Sequence, residues 1–279
     1  MLAGQTVLAG QTVLAGQTVQ GDKDGEGLMV GQVLRYGRLC SLVYQLDKPI
    51  GSSFGDVEFY RERLAGTTGE ILEPAVGTGR ILVPLLRSGL QVRGYDTSPH
   101  MLALCRDNCV THGLDPVLFE ADLTTYREPA AFAAIIIPAG SFALVTGREQ
   151  ALRALRHIRE SLAAHGRLLV DIEPLASPTG PEPTRHWWHG EDLITLTCHP
   201  GVDTGDRCQT SWCRYELWRD GVLVRTELEP FTLQRYDLAE FATLLRDAGF
   251  TTSTVHADYQ VGQSPTGQSR VWTFEATIA

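Results

Sequence analysis

The 279-residue sequence predicts an α/β fold, a mostly parallel sheet with helices on both faces and an antiparallel insertion late in the chain. Three observations carry this. From 70 to 172, apolar runs of strand length alternate with helix-like segments, the pattern of a parallel sheet covered on both sides. A turn with two glycines, Val76-Gly77-Thr78-Gly79, joins the first of these strands to the first helix. Beyond 190 the alternation gives way to strand after strand, with Asp220-Gly221 as a hairpin signal.

In chain order, residues 2–19 are three copies of Leu-Ala-Gly-Gln-Thr-Val, too few for a solenoid, and 21–27 are polar. Residues 1–27 are therefore expected to be an appendage outside the fold. Residues 28–66 hold two helix candidates, 30–47 and 53–64. The core follows as strand 70–74, helix 79–88, strand 91–95, helix 98–111, strands 116–121 and 132–138, helix 147–164 and strand 167–172. Prolines 174, 178, 181 and 183 make 173–190 a loop. Strands 193–199, 208–218, 222–228 and 231–236 then form an insertion. Helix 238–248 and strands 252–258 and 270–277 return to the core. The expected domains are 28–66, a core of 67–172 with 237–279, and a cap of 173–236.

Composition narrows the function. A formal charge of −9 argues against nucleic acid as partner, because phosphate binding needs a basic surface. No run approaches the ~20 apolar residues of a membrane span, and no secretory leader is evident at the start. Six cysteines without a C-x-x-C pair read as reduced thiols in a cytoplasmic protein, with no zinc site.

The glycine turn points to a ligand. Glycines let a backbone approach closely, and Asp96, ending the next strand, suits a ribose diol. A dinucleotide fingerprint wants a third glycine where this chain has Leu82, and Glu73 is a poor neighbour for a diphosphate. An acid there suits a cationic ligand without phosphates. Leu118-Phe119-Glu120-Ala121-Asp122-Leu123 is a third strand ending on acids.

Acids at three successive strand ends around a glycine loop resemble the class I S-adenosylmethionine-dependent methyltransferases, over roughly 35–279. Within them the chain is most similar to small-molecule enzymes such as amino-sugar N,N-dimethyltransferases and glycine N-methyltransferase. The resemblance implies a Rossmann-like, mostly parallel seven-stranded sheet with an antiparallel β cap inserted after the fifth strand as acceptor lid. It implies S-adenosylmethionine as cofactor, S-adenosylhomocysteine as product and a small-molecule acceptor, and leaves a homodimer open. It assigns Glu73, Ala75, Gly77, Thr78 and Gly79 to the methionine end of the cofactor. Asp96 falls to the ribose and Asp122 to adenine, with Thr97, Met101, Ala121 and Leu123 also in the cofactor site. Pro138, Ala139 and Ser141 lie by the sulfonium, with Phe142 beside them. The family usually has glycine where this chain has Ala75, so a strongly positive φ is not expected there. N-terminal helices of that family cover the cofactor, so Tyr44 and Tyr60 either line the acceptor pocket or pack helices onto the sheet.

An amine needs no base if it arrives neutral, whereas a hydroxyl benefits from one. The catalytic candidates are His186, His189 and Tyr44, with His199 and His256 behind them; for the Trp187-Trp188 pair and its flanking histidines, simple surface cover is the favoured reading. Arg80, Arg235 and Tyr236 face the pocket or pack. Without clustered acids after the fourth strand, no metal is expected. The expectation is methyl transfer to nitrogen or oxygen of a small molecule, in keeping with secondary metabolism. The alternatives are a non-catalytic nucleoside-binding regulator and, less favoured, an NAD-dependent oxidoreductase.

Overall fold

The structure, a computed structural model, describes residues 36–174, 183–201 and 207–278. The hexapeptide repeats, the first part of the 30–47 helix and the stretch holding Pro178 and Pro181 lie outside these residues.

Two helices, α1 (Arg38–Asp47) and α2 (Asp56–Leu64), precede the alternating region. It runs β1 (Ile71–Pro74), α3 (Leu82–Arg87), β2 (Val92–Asp96), α4 (Pro99–Thr111), β3 (Leu118–Glu120), β4 (Phe132–Ile137), α5 (Arg148–Ser161) and β5 (Leu162–Ile172). Strands β6 (Arg185–His189), β7 (Asp192–Pro200), β8 (Cys208–Arg219) and β9 (Val222–Gln234) form a second sheet. Helix α6 (Leu238–Asp247), β10 (Thr252–Ala257) and β11 (Trp272–Thr277) complete the chain.

The seven-stranded sheet has the order β10-β11-β5-β4-β1-β2-β3. All its pairs are parallel except β5/β11 and β11/β10. The order reverses between β1 and β4, and ligands of such sheets bind at the carboxyl ends of the strands beside that point. Side-chain alternation divides the interior. Leu72, Ile135, Ile137, Leu168 and Val170 face α5 and α6, while Ile71, Ala134, Ile136 and Leu169 face α2, α3 and α4. Helix starts follow their caps: the Ser98 side chain accepts from the Met101 N–H ahead of Pro99, and Asp237 with Glu240 makes a capping box on α6.

Several boundaries differ from expectation, each for a local reason. Gly79 holds φ +83°, outside the right-handed helical region, so α3 begins at Leu82 rather than at 79. Leu162 takes extended angles, φ −72° and ψ 133°, which ends α5 at Ser161 and lets β5 start there, paired with Phe132 across a bulge. The expected loop 173–190 contains a strand, because 185–189 pair with β7 as the sheet edge. Strands 222–228 and 231–236 are one: β9 runs through Pro230, tolerated because β9 is also an edge. The Asp220-Gly221 hairpin is present, both residues having positive φ. Among the described residues no helix is long and apolar enough to cross a membrane.

The cap sheet turns one face to α1, where Ile194, Leu196, Cys213 and Tyr215 pack on Leu39, Cys40 and Val43. Trp212, on the opposite face, is exposed. Directly opposed Cys198 and Cys213 are joined in a disulfide, which corrects the reading of six reduced thiols; cross-strand register, invisible in the spacing, brings them together.

Candidate active site

The glycine loop leaves β1 at Pro74 in an irregular path: Ala75, Gly77 and Gly79 all have positive φ, at 53°, 56° and 83°. Ala75 thus occupies the left-handed region after all, at a cost of roughly 1 kcal/mol. The two glycines serve different ends. A Cβ on Gly79 would meet the Cys105 sulfur at 2.8 Å, so this position lets α4 pack beneath the loop. A Cβ on Gly77 would meet only the Tyr44 ring, at 4.0 Å. Gly77 therefore faces the open side, and Tyr44 stands over it.

Asp96 ends β2 as expected and does more than sequence suggested. Its Oδ2 accepts from the Gly77 N–H and its Oδ1 from the Ser98 N–H, both at 2.9 Å. It pins the loop to the tip of β2, and each oxygen keeps a lone pair for a ligand. Burial pushes its carboxyl above the usual range. Thr97 beside it is exposed, and Met101 is buried in the first turn of α4. Ala121 donates its N–H to the Asp96 carbonyl, bringing the tips of β2 and β3 together. Asp122 lies exposed just past β3, holding the Thr124 N–H at 2.7 Å, with Leu123 buried behind it.

Glu73 is the least comfortable group in the site. It is 3% exposed, and its Oε2 has no hydrogen-bond partner. Burial raises its carboxyl well above normal, and the Arg80 guanidinium offsets this only in part. Arg80 is committed elsewhere: it makes a two-pronged pair with Asp56 (2.6 and 3.1 Å) and donates to the Ser52 carbonyl. That clamp fastens the start of α2 to the glycine loop. Thr78 is buried with an unpartnered hydroxyl, while its carbonyl accepts from Asn108.

On the β4 side, Asp171 gathers four donors. Tyr60 and Thr273 hydroxyls reach Oδ1 at 2.8 and 2.6 Å; the Ala139 N–H and Tyr259 hydroxyl reach Oδ2 at 2.9 Å. Ala139 too has positive φ, at 53°. This hub holds the exit of β4 in its strained turn. Tyr60 is thereby a packing residue, the second of the two readings open for it. Pro138 is buried, and Ser141 bonds back to the Pro138 carbonyl.

Residues 71–166 match the family model for a methyltransferase domain. The Bacillus subtilis protein YqeM, itself named only provisionally as a methyltransferase, is 22% identical over 210 residues, 75% of this chain and 83% of that one. The matched segment, 71–166, spans β1 to the start of β5 and so carries the glycine loop, Asp96 and Asp122. Among solved structures, the sugar N-methyltransferase KedS8 of a Streptoalloteichus species superposes with TM-score 0.68 at 17% identity, over 96% of this chain and 99% of that one. CalS10 of Micromonospora echinaspora, an amino pentose methyltransferase solved with S-adenosylmethionine bound, gives 0.62 at 18%, over 88% and 99%.

The residues around the glycine loop fit S-adenosylmethionine. The unpartnered Glu73 carboxylate suits a cation, Gly77 leaves room above the loop, and Asp96 keeps acceptor capacity for a diol. At the position of a third glycine, Leu82 is wholly buried in the core.

Other candidates fall elsewhere. His186 and His189 are exposed on the β6 edge strand, His189 beside Asp192, and the structure does not group them with the loop. His199 is exposed on the cap opposite Trp212, and His256 packs between Phe59 and Glu275. Phe142 and Tyr236 stack with Phe241 in the core, and Arg235 bonds Gln209. Sequence reasoning missed Tyr36, whose backbone links Ser98 to Glu229, and the Asp171 hub. Asp171 was visible only as the end of an apolar strand.

Proposed function

We propose that the protein is a methyltransferase that carries a methyl group from S-adenosylmethionine to nitrogen or oxygen of a small polar molecule, releasing S-adenosylhomocysteine. The observation that bears most weight is the buried, unpartnered Glu73 beside Gly77 and Asp96. Together they suit a ligand with a positive centre and a ribose. The sulfonium supplies an already activated methyl carbon, so the chain's task is to orient and to exclude water. Asp96 holds the diol, Gly77 admits the ligand to the backbone, Tyr44 covers it, and the Arg80–Asp56 clamp keeps α2 in place. The Asp171 hub sets the β4 exit, beside which the acceptor would approach. KedS8 and CalS10 act on sugars by their names, which favours a small polar acceptor.

Two measurements test this. Calorimetry should show S-adenosylmethionine binding in preference to NAD. Incubation with a small-molecule panel should release S-adenosylhomocysteine. Binding without any release across amines and hydroxyl compounds would favour the regulator reading.

A further inference from the structure

Of the two N–H groups that hold Asp96, one leads out of the loop and into the cap. Ser98 gives its N–H to Asp96 Oδ1 at 2.9 Å, and its own buried hydroxyl is fixed on both sides. That Oγ accepts from the Met101 N–H at 3.2 Å and donates to the Tyr36 carbonyl at 2.7 Å. Tyr36 stands just ahead of α1 with φ +56°, in the left-handed region. A tyrosine there is strained, and such backbone persists where the surrounding bonds over-determine it. Here they do. The Ser41 hydroxyl also donates to the Tyr36 carbonyl, at 3.1 Å, and the Tyr36 N–H donates to Glu229 Oε2 at 2.9 Å. Glu229 Oε1 takes the next N–H, that of Gly37, at 2.8 Å. A Cβ on Gly37 would stand 2.7 Å from that oxygen, so glycine is what lets one carboxylate span both donors. Glu229 is buried on β9 of the cap sheet. The bonds run without a break from Glu229 through the Tyr36 peptide and Ser98 to Asp96.

We propose that Glu229 is a positioning residue for the methyl donor: acting through Tyr36 and Ser98, it fixes the Asp96 carboxylate in the orientation that meets the ribose diol. The inference rests on Asp96 holding the diol and carries that role from the loop into the cap. A carboxylate at a strand tip can turn about its side-chain bonds, and a binding group is precise only when its supporting bonds are themselves locked. Gly77 locks one oxygen from within the loop. Ser98 locks the other, and Ser98 is placed by a peptide that the cap holds.

The test compares S-adenosylhomocysteine with its 2′-deoxyribose analogue by calorimetry, so that preference for the intact diol is the readout. Wild-type protein should prefer the ribose ligand by about tenfold or more, the scale of a hydrogen bond to a charged group. Glu229→Gln keeps the shape but turns an NH2 group onto one of the two backbone donors. Ser98→Ala keeps the N–H to Asp96 and loses only the hydroxyl links. In both variants the preference should fall below about threefold, with affinity for the deoxy analogue held within about twofold. Ser98→Thr, which retains the hydroxyl, should restore the preference. The double variant Glu229→Gln/Ser98→Ala should be no worse than either single one, because both break the same chain. Should the Gln variant melt early, the Ser98 pair decides alone. A preserved preference in the variants, an equal loss for both ligands, or additive losses would each overturn the role. A wild type that binds both ligands equally would overturn it by removing Asp96 from the diol, with methyl transfer left standing. Failure of the wild type to bind either ligand would instead remove the reading beneath both.

Discussion

Replacing Asp171 by asparagine separates the two things this carboxylate does. Burial outweighs its four donors and pushes it up to about 6, from an ordinary 3.8. Between those values the folded protein holds a proton that the unfolded chain has lost, so stability falls as pH rises through that window. Moving from 3.8 to about 6 amounts to about 3 kcal/mol at neutral pH. Asparagine cannot ionise and escapes this penalty. Its carbonyl can still accept from Tyr60 and Thr273, and the Tyr259 hydroxyl can rotate to accept from its amide. The Ala139 N–H cannot turn, and loses its acceptor at a cost of about 1–3 kcal/mol. The variant should therefore match or exceed wild-type stability at pH 7.5 while loosening the β4 exit and lowering kcat. Thermal melts of both proteins from pH 4.5 to 7.5 provide the assay. The Tm difference should move in favour of the variant by several degrees across that range, at roughly 2–4 °C per kcal/mol. Parallel melting curves across pH would refute the reasoning, because they would mean that Asp171 does not titrate there.

Three further outcomes follow from the site. Asp96→Ala should weaken S-adenosylmethionine binding by about 1.5–3 kcal/mol, the worth of a hydrogen bond to a charged group; calorimetry showing unchanged affinity would remove Asp96 from the ribose. Arg80→Met leaves Asp56 charged and buried without its ion-pair partner, held only by the Ser53 hydroxyl and the Phe54 and Val57 N–H groups, and should cost about 3–5 kcal/mol in denaturant unfolding, whereas a surface ion pair would cost under about 1. Asp237→Ala removes the α6 capping box and should cost about 1 kcal/mol with cofactor affinity unaltered, since that helix lies on the sheet face away from α2, α3 and α4.

The core was legible because its signals are local. Strand and helix periods alternate within short windows, and the irregular turn after β1 announces itself through Gly77 and Gly79. Where sequence reading failed, the deciding contact was distant. The strand 185–189 exists because β7 pairs with it, and the continuity of β9 through Pro230 depends on its place at the sheet edge. The Cys198–Cys213 bond depends on cross-strand register. Asp171 became a hub only when Tyr60, Thr273 and Tyr259 arrived from three separate elements. The histidines misled for the opposite reason: His186 and His189 stand out in a linear string, yet they decorate an exposed edge.

Two glutamates of β9 hold the start of α1: Glu229 accepts the Tyr36 and Gly37 N–H groups, and Glu227 accepts the Leu39 N–H. The same helix covers the glycine loop with Tyr44 and ties to α4 through Gln45 and Asn108. The cap and the cofactor loop thus grip one helix from opposite sides. Whatever steadies the cap steadies α1, and so slows escape of the molecule beneath it. Linkage makes the exchange mutual: an acceptor seated against the cap should tighten the methyl donor by the same free energy with which the donor tightens the acceptor.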